Sequence, residues 1–199
     1  LEPLLITDEF LERLSKLRKI CHHFHLSLQS ACNDTLKRMN RRYTIEQFIE
    51  ITKKLRKVYD DVMLTTDIIV GFPGETDEEF NKTYEMLKEI KFYKTHVFPY
   101  SPRKGTKAAI MPQQINGKIK EERSKKLIEL SNKYQKEYNE KYLSQNVDIL
   151  FEECKDGIYK GHTGNYILAH CKTNNNLENK IIKAKCIGIE QEYIIVTEL

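Results

Sequence analysis

The amino-acid sequence predicts an α/β chain: an open, partial (βα) barrel of the TIM type followed by a small antiparallel β-barrel. Three observations carry that prediction. Strand-like and helix-like segments alternate through the first two thirds, the pattern of βαβ units whose right-handed crossovers set helices on one side of a curving parallel sheet. The 199 residues hold about three or four such units, where a closed barrel needs eight. Beyond Tyr142 the texture changes to short strands divided by turn residues, which reads as a small barrel. The expected division is residues 1–141 and residues 142–199.

The elements follow in order. Thr7 or Asp8 caps a helix whose apolar side is Phe10, Leu11, Leu14 and Leu17. His23 to Leu28 is a strand, and Asn33 to Met39 a short segment before a basic cluster. Thr44 and Gln47 have capping-box spacing ahead of Phe48, Ile51, Leu55 and Val58 at helical intervals. Leu64 to Val70 is a β-branched run suited to a buried parallel strand. Thr76 and Glu79 repeat the capping box, with Phe80, Tyr84, Leu87 and the stem of Lys91 as the buried stripe, and Phe92 to Phe98 is the next strand. A charged helix spans roughly Ile119 to Tyr142, with Leu127, Leu130, Tyr134 and Tyr138 on its apolar side. Val147–Phe151, Tyr166–Ala169, Ile181–Ile182 and Tyr193–Val196 are the later strands.

Composition excludes several classes. With 40% hydrophobic and 31% charged residues, the chain is not disordered throughout. No apolar run approaches the roughly 20 residues of a spanning helix, so no membrane partner is expected. The start lacks a basic region followed by an apolar core and so does not read as a secretory signal. Its opening LEPLL reads as the tail of a strand, and the chain does not begin with Met. The expectation is a piece of a longer polypeptide, whose remainder or a partner covers the free edge of the first strand. Five widely spaced cysteines with no C-x-x-C pair argue against a disulfide framework and a closed zinc site. Reduced thiols and a cytoplasmic location are expected. From Tyr142 onward six basic residues stand against eight acidic, a net of −2, while the preceding residues carry 27 against 21, a net of +6. That permits a polyanionic partner without requiring one.

Active sites of α/β barrels lie at the carboxyl ends of the strands, and three such ends are rich in turn and polar residues. HLSLQSAC offers Ser27, Gln29 and Ser30, hydroxyl and amide groups for a ribose or an amino-acid head group, or else an ordinary polar loop. In DIIVGFPGET, Gly71 and Gly74 flank Phe72-Pro73, and Glu75 is placed to orient the turn into a capped helix. Glycines there admit close backbone approach to a planar ligand, although a tight connection without a ligand uses them too. VFPYSPRKGTKAA carries two stiffening prolines with Ser101, Arg103 and Lys104. Arg41-Arg42-Tyr43 adds a basic cluster beside an aromatic, suited to nucleic acid or to a solvated helix end. The six histidines give no metal-ligand set: His22 alternates to the face opposite His23, the faces of His23 and His25 stay open, and packed roles are expected. No metal ligand and no catalytic residue is assigned.

Taken together, HLSLQSAC, LKRMNRRYT, DIIVGFPGETDEEF and FPYSPRKGTKAA in this order resemble the methylthiotransferase family of radical S-adenosylmethionine enzymes. The wording CHHFHLSLQSAC resembles most the branch acting on threonylcarbamoyladenosine beside the tRNA anticodon, and the tail is similar to the TRAM domain of that family. The resemblance implies transfer of a methylthio group to C2 of N6-threonylcarbamoyladenosine at position 37, with S-adenosylmethionine and two 4Fe-4S clusters as cofactors and tRNA as substrate. It further implies cofactor contacts from Ser27, Gln29, Ser30, Arg41, Gly71, Phe72, Gly74, Glu75, Ser101 and Arg103, with Glu2 at a strand end facing the same pocket. Candidate RNA contacts are Arg42, Lys104, Lys160, His162, Asn165 and Tyr166. The family's CxxxCxxC motif and its N-terminal domain are not in this sequence. The chain alone is therefore expected to assemble no native cluster and to depend on another region of the same polypeptide. The alternatives are a non-catalytic tRNA-binding fragment, a methylthiotransferase of the isopentenyladenosine or ribosomal-protein branch, and a half-barrel binding a phosphorylated metabolite. No phosphate fingerprint supports the last.

Overall fold

A computed structural model describes residues 1–199. Helix α1 (Asp8–Ser15) opens on Thr7, whose hydroxyl accepts the Phe10 amide. Helices α3 (Ile45–Val58) and α4 (Asp77–Ile90) begin with complete capping boxes, Thr44 with Gln47 and Thr76 with Glu79, which pair amides left free in the first turn. Between and after them run β1 (His23–Gln29), β2 (Met63–Val70) and β3 (Lys94–Pro99), with the short α2 (Asn33–Arg38) after β1. The strands form one parallel sheet in the order β1-β2-β3. Three residues expected on buried stripes lie outside. Leu17 falls beyond the end of α1, Val58 is the last residue of α3, and Lys91 is an exposed C-cap at φ 53°.

Strand alternation sorts the sheet into two faces. Phe24, Leu26, Leu28, Leu64, Ile68 and Val70 are buried with Phe48, Leu55, Phe80 and Leu87 of the helices. The concave face carries His23, His25 and Ser27 from β1, Thr65, Asp67 and Ile69 from β2, and Lys94, His96 and Phe98 from β3. Both edges are met. Helix α5 (Gly117–Glu140) buries Leu127, Leu130 and Tyr134 in the same core, and its Ser131 hydroxyl accepts the Thr95 amide of β3 at 2.9 Å. Along β1, the Leu1 carbonyl accepts the Ser27 amide at 3.1 Å, while Pro3–Leu5, expected as strand, forms a 3₁₀ turn.

The last part is a closed barrel of β4 (Asn146–Lys155), β5 (Ile158–Thr163), β6 (Leu168–Lys172), β7 (Lys180–Ile189) and β8 (Ile194–Glu198), in the order β4-β5-β6-β8-β7. Four pairings are antiparallel, as expected; the fifth, β6 with β8, is parallel, because β8 turns back from β7 and enters between it and β6. Strand β5 is absent from the sequence reading, which treats its residues as loop. The barrel sits at the amino ends of the sheet. Met63 and Tyr93 reach into its core beside Ile149, Phe151 and Ile167, and the His22 amide donates to the Gly164 carbonyl at 3.0 Å. No helix is long and apolar enough to cross a membrane.

Candidate functional site

The carboxyl ends of all three parallel strands open on one cavity of about 560 Å³. Gln29 enters it from β1, Asp67 and Ile69 from β2, Phe98 and Pro99 from β3, and Tyr100, Ser101, Arg103, Thr106 and Ala108 from the loop after β3. Gln29 faces inward because the β1–β2 register slips between Leu26 and Gln29, leaving Gln29 at φ 66°. Such a conformation is strained for a residue with a Cβ and persists only when its surroundings enforce it. Tyr43 does so in part: its hydroxyl donates to the Ser27 and Leu28 carbonyls at 2.6 and 2.8 Å. Burial pushes the Tyr43 phenol up to about 12, so it remains a donor. On the β3 side, Tyr100 packs edge-on against Phe72, and Thr106 ties the loop by donating to the Arg103 carbonyl at 2.8 Å.

Three of the residues expected to contact a cofactor, Gln29, Ser101 and Arg103, therefore meet. Ser27 shares the concave face but does not line the cavity. The others are turned elsewhere, each for a local reason. Ser30 follows the kink into the core, where its hydroxyl faces Thr83 at 3.3 Å and accepts the Cys32 amide. Arg41 pairs with Glu2 at 3.1 Å. In the turn after β2, Phe72 is buried, and Gly71 makes room for α5: a Cβ there would stand 2.2 Å from Lys120 Cγ. Gly74 lies against Gln113 and Arg38. Glu75 is buried, accepts the Gly71 amide and pairs with Arg123; burial, opposed by these partners, raises its carboxyl.

The expected RNA contacts are also mostly engaged. Asn165 is buried, donating to the Asp61 carbonyl at 3.0 Å and to the Tyr142 hydroxyl, so it docks the barrel on the sheet. The Tyr166 ring is exposed at its rim, but its faces stack on His23 and His162, with centroids 4.4 and 4.5 Å away. Lys160 pairs with Glu153 at 3.2 Å, and His162 bonds Glu152. Arg42 and Lys104 are exposed.

Sequence reasoning missed Asp67, Ile69, Phe98 and Tyr100 as cavity residues, although alternation along DIIV already sets Asp67 and Ile69 on one face. It also missed a second cavity, of about 440 Å³, where the concave face meets the barrel. His23, His25 and His96 line it with Thr65, Lys94, His162 and Tyr166. Burial, reinforced by His25, His162 and His96, lowers His23 to about 4. Burial also holds His96 below its ordinary value, against the pull of Asp67. His22 lies outside the cavity and bonds Asp61.

Residues 2–87 match the family model described as "Radical SAM superfamily". The chain is 42% identical over 198 residues to the threonylcarbamoyladenosine tRNA methylthiotransferase MtaB of Bacillus subtilis, an alignment covering 97% of this chain and 44% of that protein. It is 41% identical over 172 residues to a tRNA-2-methylthio-N(6)-dimethylallyladenosine synthase of a Thermoanaerobacter species, covering 86% of this chain and 36% of the relative. The chain thus spans less than half the length of these curated relatives. Among solved structures, coproporphyrinogen III oxidase of Escherichia coli, a radical SAM enzyme, superposes with a TM-score of 0.54 at 12% identity, over 94% of this chain and 45% of that one. That likeness speaks to the fold. The match to the radical SAM superfamily thus covers the first two strands of the parallel sheet and most of α4, and along nearly all its length the chain is similar to tRNA methylthiotransferases.

Proposed function

We propose that this chain is part of a radical S-adenosylmethionine tRNA methylthiotransferase, and that it supplies one wall of the S-adenosylmethionine pocket together with a share of the tRNA-binding surface. The observation that carries the reading is the single cavity at the three strand ends. Its volume suits a nucleoside-sized ligand. Ile69, Phe98 and Tyr100 offer apolar and aromatic contact to a purine. Gln29 and Ser101 offer amide and hydroxyl groups to a ribose, and the exposed Arg103 offers a guanidinium to a ligand carboxylate. The residues present fit S-adenosylmethionine, which when bound is the source of the hydrogen-abstracting group and of the methyl group. What this chain does is orient it and exclude water from one side.

The same residues do not fit an iron–sulfur cluster. Cys21 and Cys154 are exposed and Cys32, Cys171 and Cys186 buried, on separate elements, and no set of cysteines converges. Cluster ligands would come from another region of the polypeptide. Residues 142–199 act in this reading as the TRAM-like domain, residues 1–141 as the radical-SAM part, and tRNA as substrate implies a cytoplasmic location.

The preferred product is the 2-methylthio derivative of N6-threonylcarbamoyladenosine at position 37. The alignment of 97% of the chain with a relative named for that nucleoside supports it. The test is nucleoside analysis of tRNA from cells lacking the gene. Loss of 2-methylthio-N6-threonylcarbamoyladenosine supports the assignment, loss of the dimethylallyl counterpart moves the chain to the other branch, and loss of neither overturns the reading. For the pocket, Arg103→Ala should weaken S-adenosylmethionine binding by about tenfold, the value of one charge-assisted contact.

A further inference from the structure

His25, Asp67 and His96 stand on three adjacent parallel strands and point to one side of the sheet. Asp67 pairs in register with His96 across β2–β3, and His25 pairs with Thr65, two residues before Asp67, across β1–β2. Their ligand atoms lie within 4.8 Å of one another, and His25 Nε2 is 3.3 Å from Asp67 Oδ2. Neither ring nitrogen of His96 has a hydrogen-bond partner in the protein, so the donor set has spare capacity where the three side chains meet. Asp67 lines the cavity at the strand ends and the two histidines line the cavity beside the barrel, so the group is reachable from solvent on both sides.

We propose that His25, Asp67 and His96 bind one divalent first-row transition ion, of the zinc or iron(II) class, at a site apart from any iron–sulfur cluster. Two imidazoles and one carboxylate on one face are the donor set such ions take with open positions for water or a further ligand. Bonds of about 2.0–2.2 Å set neighbouring ligand atoms ~3–3.5 Å apart, a closure available through rotation of the exposed His96 ring. The partner needed to orient His25 is in place. Thr65 Oγ1 lies 3.0 Å from both His25 Nδ1 and His23 Nε2. If its hydroxyl donates to His23 Nε2 and accepts from His25 Nδ1–H, the lone pair of His25 Nε2 faces the Asp67 carboxylate. Two acceptors facing each other need a proton or a metal cation between them, and a hydrogen bond at the far nitrogen is the usual support of a metal-binding histidine. Lys94, which lines the cavity with the two histidines, is drawn toward Glu192 at 3.8 Å. In the opposite tautomer His25 Nε2–H donates to Asp67 and no ion is needed, so the two states are distinguishable by experiment.

The test uses the whole chain with its exposed thiols removed by Cys21→Ser and Cys154→Ser, stripped with a chelator, and titrated with Zn²⁺ by calorimetry and with Co²⁺ by absorption. One ion per chain at micromolar affinity or tighter is expected, with Co²⁺ d–d bands. Asp67→Asn and His96→Gln should each weaken Zn²⁺ binding by about tenfold or more, and Thr65→Val by several-fold. His170→Gln, on the barrel, should leave it unchanged. Circular dichroism on each variant separates loss of the site from loss of the fold. Absence of saturable binding to the folded chain, or binding that Asp67→Asn and His96→Gln leave intact, overturns the proposal. Neither result bears on S-adenosylmethionine binding, which is measured separately.

Discussion

Arg123, in the second turn of α5, holds Glu75 at 2.6 Å with both side chains almost wholly buried, and its other terminal nitrogen reaches Asp77 at 2.8 Å. One guanidinium thereby fastens α5 to the turn that follows β2. Breaking a buried pair strands the remaining charge, so Arg123→Met should destabilise the chain by about 3–5 kcal/mol. Glu75→Gln keeps an acceptor for the Gly71 amide, so the double variant should recover much of that loss. A double-mutant cycle by urea unfolding measures the coupling.

Gly71 combines a positive φ of 70° with the stem of Lys120 lying where a Cβ would be. Gly71→Ala should therefore cost about 1–3 kcal/mol through backbone strain, plus a steric share. Adding Lys120→Ala should remove only the steric share, leaving unfolding midpoints below those of the parent.

His23 is neutral in the folded chain down to about pH 4, whereas an exposed histidine takes a proton near 6.5. The unfolded chain thus binds more protons between those values, and stability is present in full above 6.5 and declines as pH falls toward 4. His23 is only about half buried, so the loss, discounted for solvent screening, is on the order of 1 kcal/mol, or roughly 2–4 °C in Tm. His23→Gln should flatten the Tm profile across that window, measured by thermal melts from pH 7.5 to 4.

At Gly161 an added Cβ would stand 2.2 Å from the Leu150 carbonyl and 2.7 Å from Phe151 Cα. Both are backbone atoms of the paired strand and cannot step aside. Gly161→Ala should open the β4–β5 seam at a cost of about 3 kcal/mol or more, read as early loss of amide protection in β4 and β5 by hydrogen exchange.

The capped helices are legible in sequence because an N-cap needs only residues three apart, as at Thr7, Thr44 and Thr76. Strand β5 is not, because Gly161 interrupts it and Lys160 and His162 fill its outward positions, so IYKGHT reads as loop. The direction of Ser30 is equally hidden, since it depends on a register slip against β2 that no local pattern encodes. The cavity is half legible. Ser101, Arg103 and Gln29 lie in segments whose composition marks them, while the glycines after β2 look like ligand-binding devices and instead admit Lys120 and border Gln113 and Arg38. The meeting of His25 with His96 is a property of the sheet alone, as 71 positions of chain separate them.

The order in which the small barrel's strands emerge from the ribosome is not the order in which they stand. Strand β8 comes last yet occupies the slot between β6 and β7, so during synthesis those two strands keep bare flanks until residue 198 has left the exit tunnel. The parallel sheet has no such wait, since its strands and α5 are complete by residue 140. Slow translation over the final stretch would lengthen the interval in which two nascent copies can join through β6 and β7.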